Sequence, residues 1–66
     1  MIRVNGKTME AGDRSLTGLL TRLGYATDQP GIAVAVNGEV VRRSTWTERE
    51  LSDGDEIDIV GAVQGG

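Results

Sequence analysis

The chain contains no cysteine, no histidine and no phenylalanine, and only one proline. Without thiols there can be no disulfide framework, so a secreted, crosslinked mini-domain is excluded. The thiol nucleophile, the acid/base group that titrates near neutrality and the usual transition-metal ligands are all missing. Serines and threonines are present, but none has an imidazole to activate it. Aromatics are reduced to Tyr25 and Trp46. Lysine and arginine together number 7 against 10 acids, a net charge of −3. That balance argues against a nucleic-acid binder, which carries a basic face. No apolar run approaches the about 18 residues of a membrane span, and no signal peptide opens the chain. A cytoplasmic protein with no membrane association is expected.

With 66 residues, of which 38% are hydrophobic, the chain makes one small domain. A domain of this size buries only about 60% of its unfolded surface. That leaves a single core and little room for a substrate cleft. A self-contained enzyme is therefore not expected, nor is a bound metal or cofactor. Asp53, Asp55 and Asp58 lack the spacing and the closing chelating glutamate of a calcium loop.

Residues 1–4 read as a strand with Ile2 and Val4 on one face. Asn5-Gly6 then supplies the positive φ angles of a two-residue hairpin, and residues 7–10 return. Leu16, Leu19, Leu20 and Leu23 fall at i, i+3, i+4 and i+7, one apolar stripe of a helix. Asp13 or Ser15 can cap its start, and Gly24 stands where a left-handed residue closes its end. Gly18 costs the helix about 1 kcal/mol relative to alanine. It is read as tolerated rather than as required for a close approach.

A polar loop over 25–31 leads to Ile32-Ala33-Val34-Ala35-Val36, β-branched on one parity and alanine on the other. Asn37-Gly38 repeats the hairpin signal and residues 39–42 return. Residues 44–52 read as irregular, with Trp46 and Leu51 plugging the end of the core. Asp53-Gly54-Asp55 is a tight turn, and Glu56 to Val60 alternates with Ile57 and Ile59 inward. A helix with one apolar stripe needs a sheet face to cover it, which gives a two-layer α+β domain. With first and last strands parallel neighbours, this becomes a β-grasp (ubiquitin-like) fold, a mixed sheet of four to five strands packed on one main helix.

The end of the chain differs in kind from the rest. Gly61-Ala62-Val63-Gln64-Gly65-Gly66 has no charged side chain and nothing bulkier than valine or glutamine. Glycine lacks a Cβ, so Gly65-Gly66 suits a channel too narrow for side chains. A terminal carboxylate, ionised at neutral pH, is an oxygen nucleophile for an enzyme that activates acyl groups. The division expected is a folded domain over 1–60 and a flexible C-terminal tail over 61–66.

Four features taken in order carry a resemblance over the whole chain: Ala35-Val36-Asn37-Gly38, then Arg43-Ser44 with Trp46, then Leu51-Ser52-Asp53-Gly54-Asp55, then terminal Gly65-Gly66. Together they resemble the sulfur-carrier proteins of thiamine biosynthesis. Arg42 departs from that pattern, standing where many such proteins carry proline. The resemblance implies that Gly66 is the covalent acceptor, attacking the α-phosphate of ATP within an adenylating, ubiquitin-activating-like enzyme that also uses Mg²⁺. A sulfur donor protein would convert the acyl-adenylate to a thiocarboxylate, and thiazole synthase would take the sulfur. Val63, Gln64 and Gly65 would be the arm that threads into each partner.

Other assignments remain open beside this one. The small sulfur-carrier subunit of molybdopterin synthase shares the fold and the diglycine, although the short loops here favour the thiamine carrier. A ubiquitin-like protein modifier would use the same activation on a lysine acceptor. A plain interaction domain would make the tail irrelevant. Trp46 either fills the core or anchors an interface. Arg42 and Arg43 either meet an acidic partner or are solvated strand charges. Glu48, Glu50, Asp53, Asp55, Glu56 and Asp58 either steer a basic partner to the tail or keep a strand soluble. Parity places Arg3 and Asp58 as neighbours across the central strands, on a face open to a partner.

Overall fold

The computed structural model describes residues 1–26, 28 and 30–61. The elements run β1 (Ile2–Val4), β2 (Lys7–Met9), α1 (Leu16–Arg22), β3 (Ile32–Val36), β4 (Glu39–Val41), a 3-10 helix (Arg43–Glu48) and β5 (Glu56–Gly61). The strands form one sheet in the order β2-β1-β5-β3-β4. β5 lies parallel to β1 and antiparallel to β3, while the two outer pairs are hairpins. This is the β-grasp arrangement: five strands, mixed, with one helix across one face.

Both hairpins turn as the Asn-Gly pairs require. Asn5 and Asn37 take φ of 50° and 54°, and Gly6 and Gly38 take 87° and 84°. The asparagine side chains do more than permit the turn. Asn5 Oδ1 accepts from the Ile59 amide at 2.8 Å, continuing the β1–β5 ladder where the β1 backbone bends away. On the other side of β5, Asn37 Oδ1 accepts from the Glu56 amide and Asn37 Nδ2 donates to Asp55 Oδ1, both at 2.9 Å. Each turn is thereby tied to the central strand.

Helix α1 starts at Ser15, whose hydroxyl accepts from the Gly18 amide at 3.1 Å. Asp13 supports the cap from outside, accepting from the Ser15 amide. Gly18 is not merely tolerated, as expected above. A Cβ there would lie 2.8 Å from Asp13 Oδ1, so the bare glycine gives room to the carboxylate that steadies the cap. The helix ends in a Schellman motif: Gly24, at φ 92°, donates to Thr21 O, and Tyr25 donates to Leu20 O. This stop corrects the expected four-leucine stripe. Leu16, Leu19 and Leu20 are fully buried, but Leu23 falls at the C-cap and remains 39% exposed.

The core collects Ile2 and Val4 from β1, Ile32, Val34 and Val36 from β3, and Ile57 and Ile59 from β5, all facing the helix leucines. Val41, Trp46 and Leu51 close one end. Trp46 is 2% exposed, and its indole N–H donates to Val41 O at 3.0 Å. It fills the core and is no interface anchor. The stretch read as irregular contains an ordered 3-10 helix that carries this tryptophan inward. β2 and β4 end one residue earlier than expected, and β5 extends one further, pairing Gly61 with Ile32. Among the described residues no polar or charged residue is buried.

Replacing Asn37 by glycine keeps the positive φ but removes the side-chain bonds. Asn37→Gly should cost about 1 kcal/mol, read as a lower urea midpoint at unchanged m-value. An unchanged midpoint would show that the side chain contributes only its backbone conformation.

Candidate functional site

Among the described residues, none forms a layer over the face of the sheet away from the helix. Alternation along β5 places Glu56, Asp58 and Val60 there, opposite the buried Ile57 and Ile59. β3 adds exposed Ala33 and half-buried Ala35, β4 adds Val40, and β1 adds Arg3. The register sets Val60 beside Ala33, and sets Asp58 and Val40 on either side of Ala35. Val60 and Val40 are 64% and 77% exposed. A small apolar strip therefore crosses the open face at the end of β5 that leads toward residues 62–66. Its valines were missed in the sequence reading. The signal was available: Val60 is an apolar residue on the outward parity of a strand whose inward parity is already isoleucine.

Arg3 and Asp58 share this face and both are exposed, but they are not direct neighbours. Arg3 registers with Glu56, and Asp58 registers with Ala35. The parallel ladder is anchored at the start of β5, where Met1 O accepts from Gly54 and the Arg3 amide donates to Asp55 O. That anchoring offsets Asp58 from Arg3 by two residues. Among the described residues no ion pair joins Arg3 to either acid.

Arg42 and Arg43 lie at the far edge, where β4 passes into the 3-10 helix. The Arg43 guanidinium sits 4.4 Å from the Trp46 ring centroid, a cation–π contact that roofs the buried indole. Arg42 caps the 3-10 helix through its carbonyl, which accepts from the Thr45 amide and hydroxyl. Its φ of −65° and ψ of 140° are values proline favours. The departure at this position leaves the local backbone as it would be with proline.

The acids do not gather at the exit of β5. Asp53 and Asp55 lie at the opposite end of that strand and have structural partners. Asp53 is ion-paired with the α-ammonium of Met1. That hydrogen bond, then the ammonium's charge, then Arg14 hold its carboxyl below the ordinary value. Asp55 bonds Asn37 and the Ser52 amide. Glu50 sits in a backbone β-bridge opposite Ser15, beside the start of α1. Only Asp58 remains on the open face toward the exit.

On the helix side, a groove of about 290 Å³ lies between the β1–β2 hairpin and the C-terminus of α1, lined by Val4, Asn5, Lys7, Met9, Leu23 and Tyr25. Among the described residues no group of His, Cys, Asp or Glu is arranged to hold a metal. No helix among them is long and apolar enough to cross a membrane. Val63, Gln64, Gly65 and Gly66, the expected arm and acceptor, lie outside the described residues.

The ThiS family model matches residues 2–66. The chain belongs to the ThiS family. A crystal structure of the thiamine biosynthesis protein ThiS from Geobacter metallireducens is 31% identical, covering 98% of this chain and 97% of its own, with a TM-score of 0.76. An NMR solution structure of a thiamine biosynthesis protein from the same organism is also 31% identical, covering 98% and 86%, with a TM-score of 0.78. No curated protein gives a significant match.

Two measurements check these placements. Arg42→Pro should stabilise the fold by about 0.4–1 kcal/mol, since the native φ suits the ring and the unfolded chain loses freedom; destabilisation would mean that the Arg42 N–H or side chain is needed. The Asp53 pair contributes at neutral pH and is lost as pH falls through the depressed folded-state value. The difference in urea midpoint between native chain and Asp53→Asn should therefore shrink in acid and in high salt; a difference independent of both would exclude the ion pair as its source.

Proposed function

We propose that the chain is a sulfur carrier of thiamine biosynthesis, with Gly66 as the residue that holds the sulfur. The observation that carries this reading is the placement of β5. The strand runs through the centre of the sheet and ends at Gly61 beside the open face, five residues before Gly66, in a chain that matches the ThiS family from residue 2 to residue 66. A body over 1–61 with no catalytic histidine or cysteine of its own then presents an acyl group for others to work on.

The chemistry follows from what a carboxylate needs. Its oxygen is a poor leaving group, so sulfur cannot displace it directly. Attack of the Gly66 carboxylate on the α-phosphate of ATP forms an acyl–phosphate bond and releases pyrophosphate. Hydrosulfide delivered by a donor protein then attacks the carbonyl carbon, the acyl–phosphate bond breaks and AMP departs, leaving a thiocarboxylate. An adenylating enzyme supplies Mg²⁺ and the groups that stabilise phosphate charge. Thiazole synthase takes the sulfur. Val63, Gln64 and Gly65 carry Gly66 into each partner, while the Val60–Ala33–Ala35–Val40 strip, with Arg3 and Asp58 beside it, docks the body.

Intact mass spectrometry after incubation with an adenylating partner, ATP, Mg²⁺ and a sulfur donor tests the reading. One oxygen-for-sulfur exchange located at Gly66 is expected, and deletion of Gly65-Gly66 should abolish it. Attachment to lysines of other proteins in place of that exchange would mark a modifier instead. Val60→Glu should raise the KM of the adenylation step about tenfold, some 1.4 kcal/mol of docking energy, with kcat little changed. An unaltered KM would remove the open face from the interface.

A further inference from the structure

Two of the exposed large apolar side chains, Val40 and Val60, belong to the open face, but Leu23 does not. It stands at the C-cap of α1, on the helix side, and lines the groove whose other wall is the β1–β2 hairpin. β2 is also the outermost strand of the sheet, so the groove borders a free edge. We propose that groove and edge together bind an extended segment of another protein, antiparallel to β2, in which an apolar residue stands two positions before an acidic one. This surface lies off the open face, so the inference does not rest on the sulfur-carrier reading.

The edge comes first. The Asn5-Gly6 turn joins Val4 to Lys7, and the pairs run Val4–Lys7, Arg3–Thr8 and Ile2–Met9. In a two-residue hairpin the flanking pair exchanges hydrogen bonds and the pairs alternate thereafter, so Thr8 turns its N–H and C=O away from β1. The next outward carbonyl, that of Glu10, already accepts from Arg22 Nη1 at 3.1 Å. What stays open within β2 is the Thr8 backbone. An antiparallel strand meets both Thr8 groups with a single residue of its own, whereas a parallel strand would divide them between two.

The side chains then set the order of residues. Directly paired residues share a face of the sheet. Lys7 and Met9 stand opposite the buried Val4 and Ile2, hence on the helix side, and both line the groove. Thr8 stands opposite Arg3 and faces the other way. A strand laid antiparallel along β2 therefore presents, from its N-terminus, a residue beside Met9, one facing away, and a residue beside Lys7. The groove, at about 290 Å³, is at the lower limit of small-molecule sites and suits side chains better than a whole cofactor. Val4, Met9, Leu23 and Tyr25 offer an aliphatic side chain an apolar lining beside Met9. Lys7 is the one charged residue among those lining the groove, in a chain whose net charge is −3. A carboxylate complements it there, and a basic residue would be repelled.

The contact is small: the Thr8 bonds, one apolar side chain and one solvated ion pair. A Kd on the order of 0.1–1 mM is expected. The backbone bonds hold any extended chain, whereas the side chains beside Met9 and Lys7 select its sequence. A segment with the same two residues in the opposite order would set its acid against Met9 and its apolar residue against Lys7.

The test titrates the full chain with acetyl-Thr-Ile-Thr-Asp-Thr-amide and reads backbone amide NMR shifts. Saturable shifts are expected at Thr8, Met9, Leu23 and Tyr25 and not at Val40 or Val60. Lys7→Glu should weaken this peptide about fivefold and favour one with lysine in place of its aspartate. N-methylation of the central threonine, which removes the donor to the Thr8 carbonyl, should weaken it at least as much, as should serine in place of isoleucine. No shift at millimolar peptide, equal affinity for acetyl-Thr-Asp-Thr-Ile-Thr-amide, or indifference to Lys7→Glu would overturn the proposal. So would tighter binding by Lys7→Ala, which would mark the lysine as a guard that keeps strands off the edge. Thr8 shifts on dilution of the chain alone would assign the edge to a second copy and overturn it too.

Discussion

The hydrogen-bond ladder of β5 is the constraint from which the rest of the molecule follows. The strand has neighbours on both sides, so its backbone amides and carbonyls must all be met within the sheet or be lost to burial. β1 is only three residues long and bends away before β5 ends. β3 likewise turns at Asn37 while β5 continues toward Asp55. Two asparagine side chains take over where the neighbouring backbones leave, one on each side. Both hairpins are therefore positioned by the strand they flank, and the inward isoleucines of β5 are fixed against Leu16, Leu19 and Leu20.

Much of this arrangement was legible in the residues. The Asn-Gly pairs announced two hairpins, the leucine spacing announced the helix, and the alternation in β3 and β5 gave the buried face. What escaped were uses of side chains that no local pattern encodes. Positive φ explains an asparagine in a turn so completely that nothing in the sequence reports its second role as a ladder partner. Gly18 looked like a defect in a helix because Asp13, which needs the space, is five residues away and outside it. Leu23 satisfied the helical period, yet Gly24 ended the helix before that period could place it in the core. For Trp46, packing was one of two open readings, and a 3-10 helix stabilised by the Arg42 carbonyl could not be distinguished from an irregular loop.

The open face beside the exit of β5 was only partly legible. Which residues meet there depends on strand order, which sequence parity cannot supply. Parity put Arg3 and Asp58 on one face correctly. Only the ladder, anchored through Gly54 and Asp55, decides that Arg3 meets Glu56. The same anchoring places Asp53 and Asp55 at the start of β5, so acids close to Gly61 in sequence are remote from it in space.

The central position of β5 also bears on how the molecule comes into being. It is the last strand of the sheet to leave the ribosome, and its partner β1 is the first, so their contacts close a loop of more than fifty residues. Before that strand arrives, the chain can form two separate hairpins and a nascent helix, but no continuous sheet between them. Such long-range pairing is slow relative to local turns and helices. An interrupted translation product would therefore lack its middle, not merely its end, and would be open to degradation. Only a chain whose synthesis has passed Gly61 acquires a sheet that is continuous from β2 to β4.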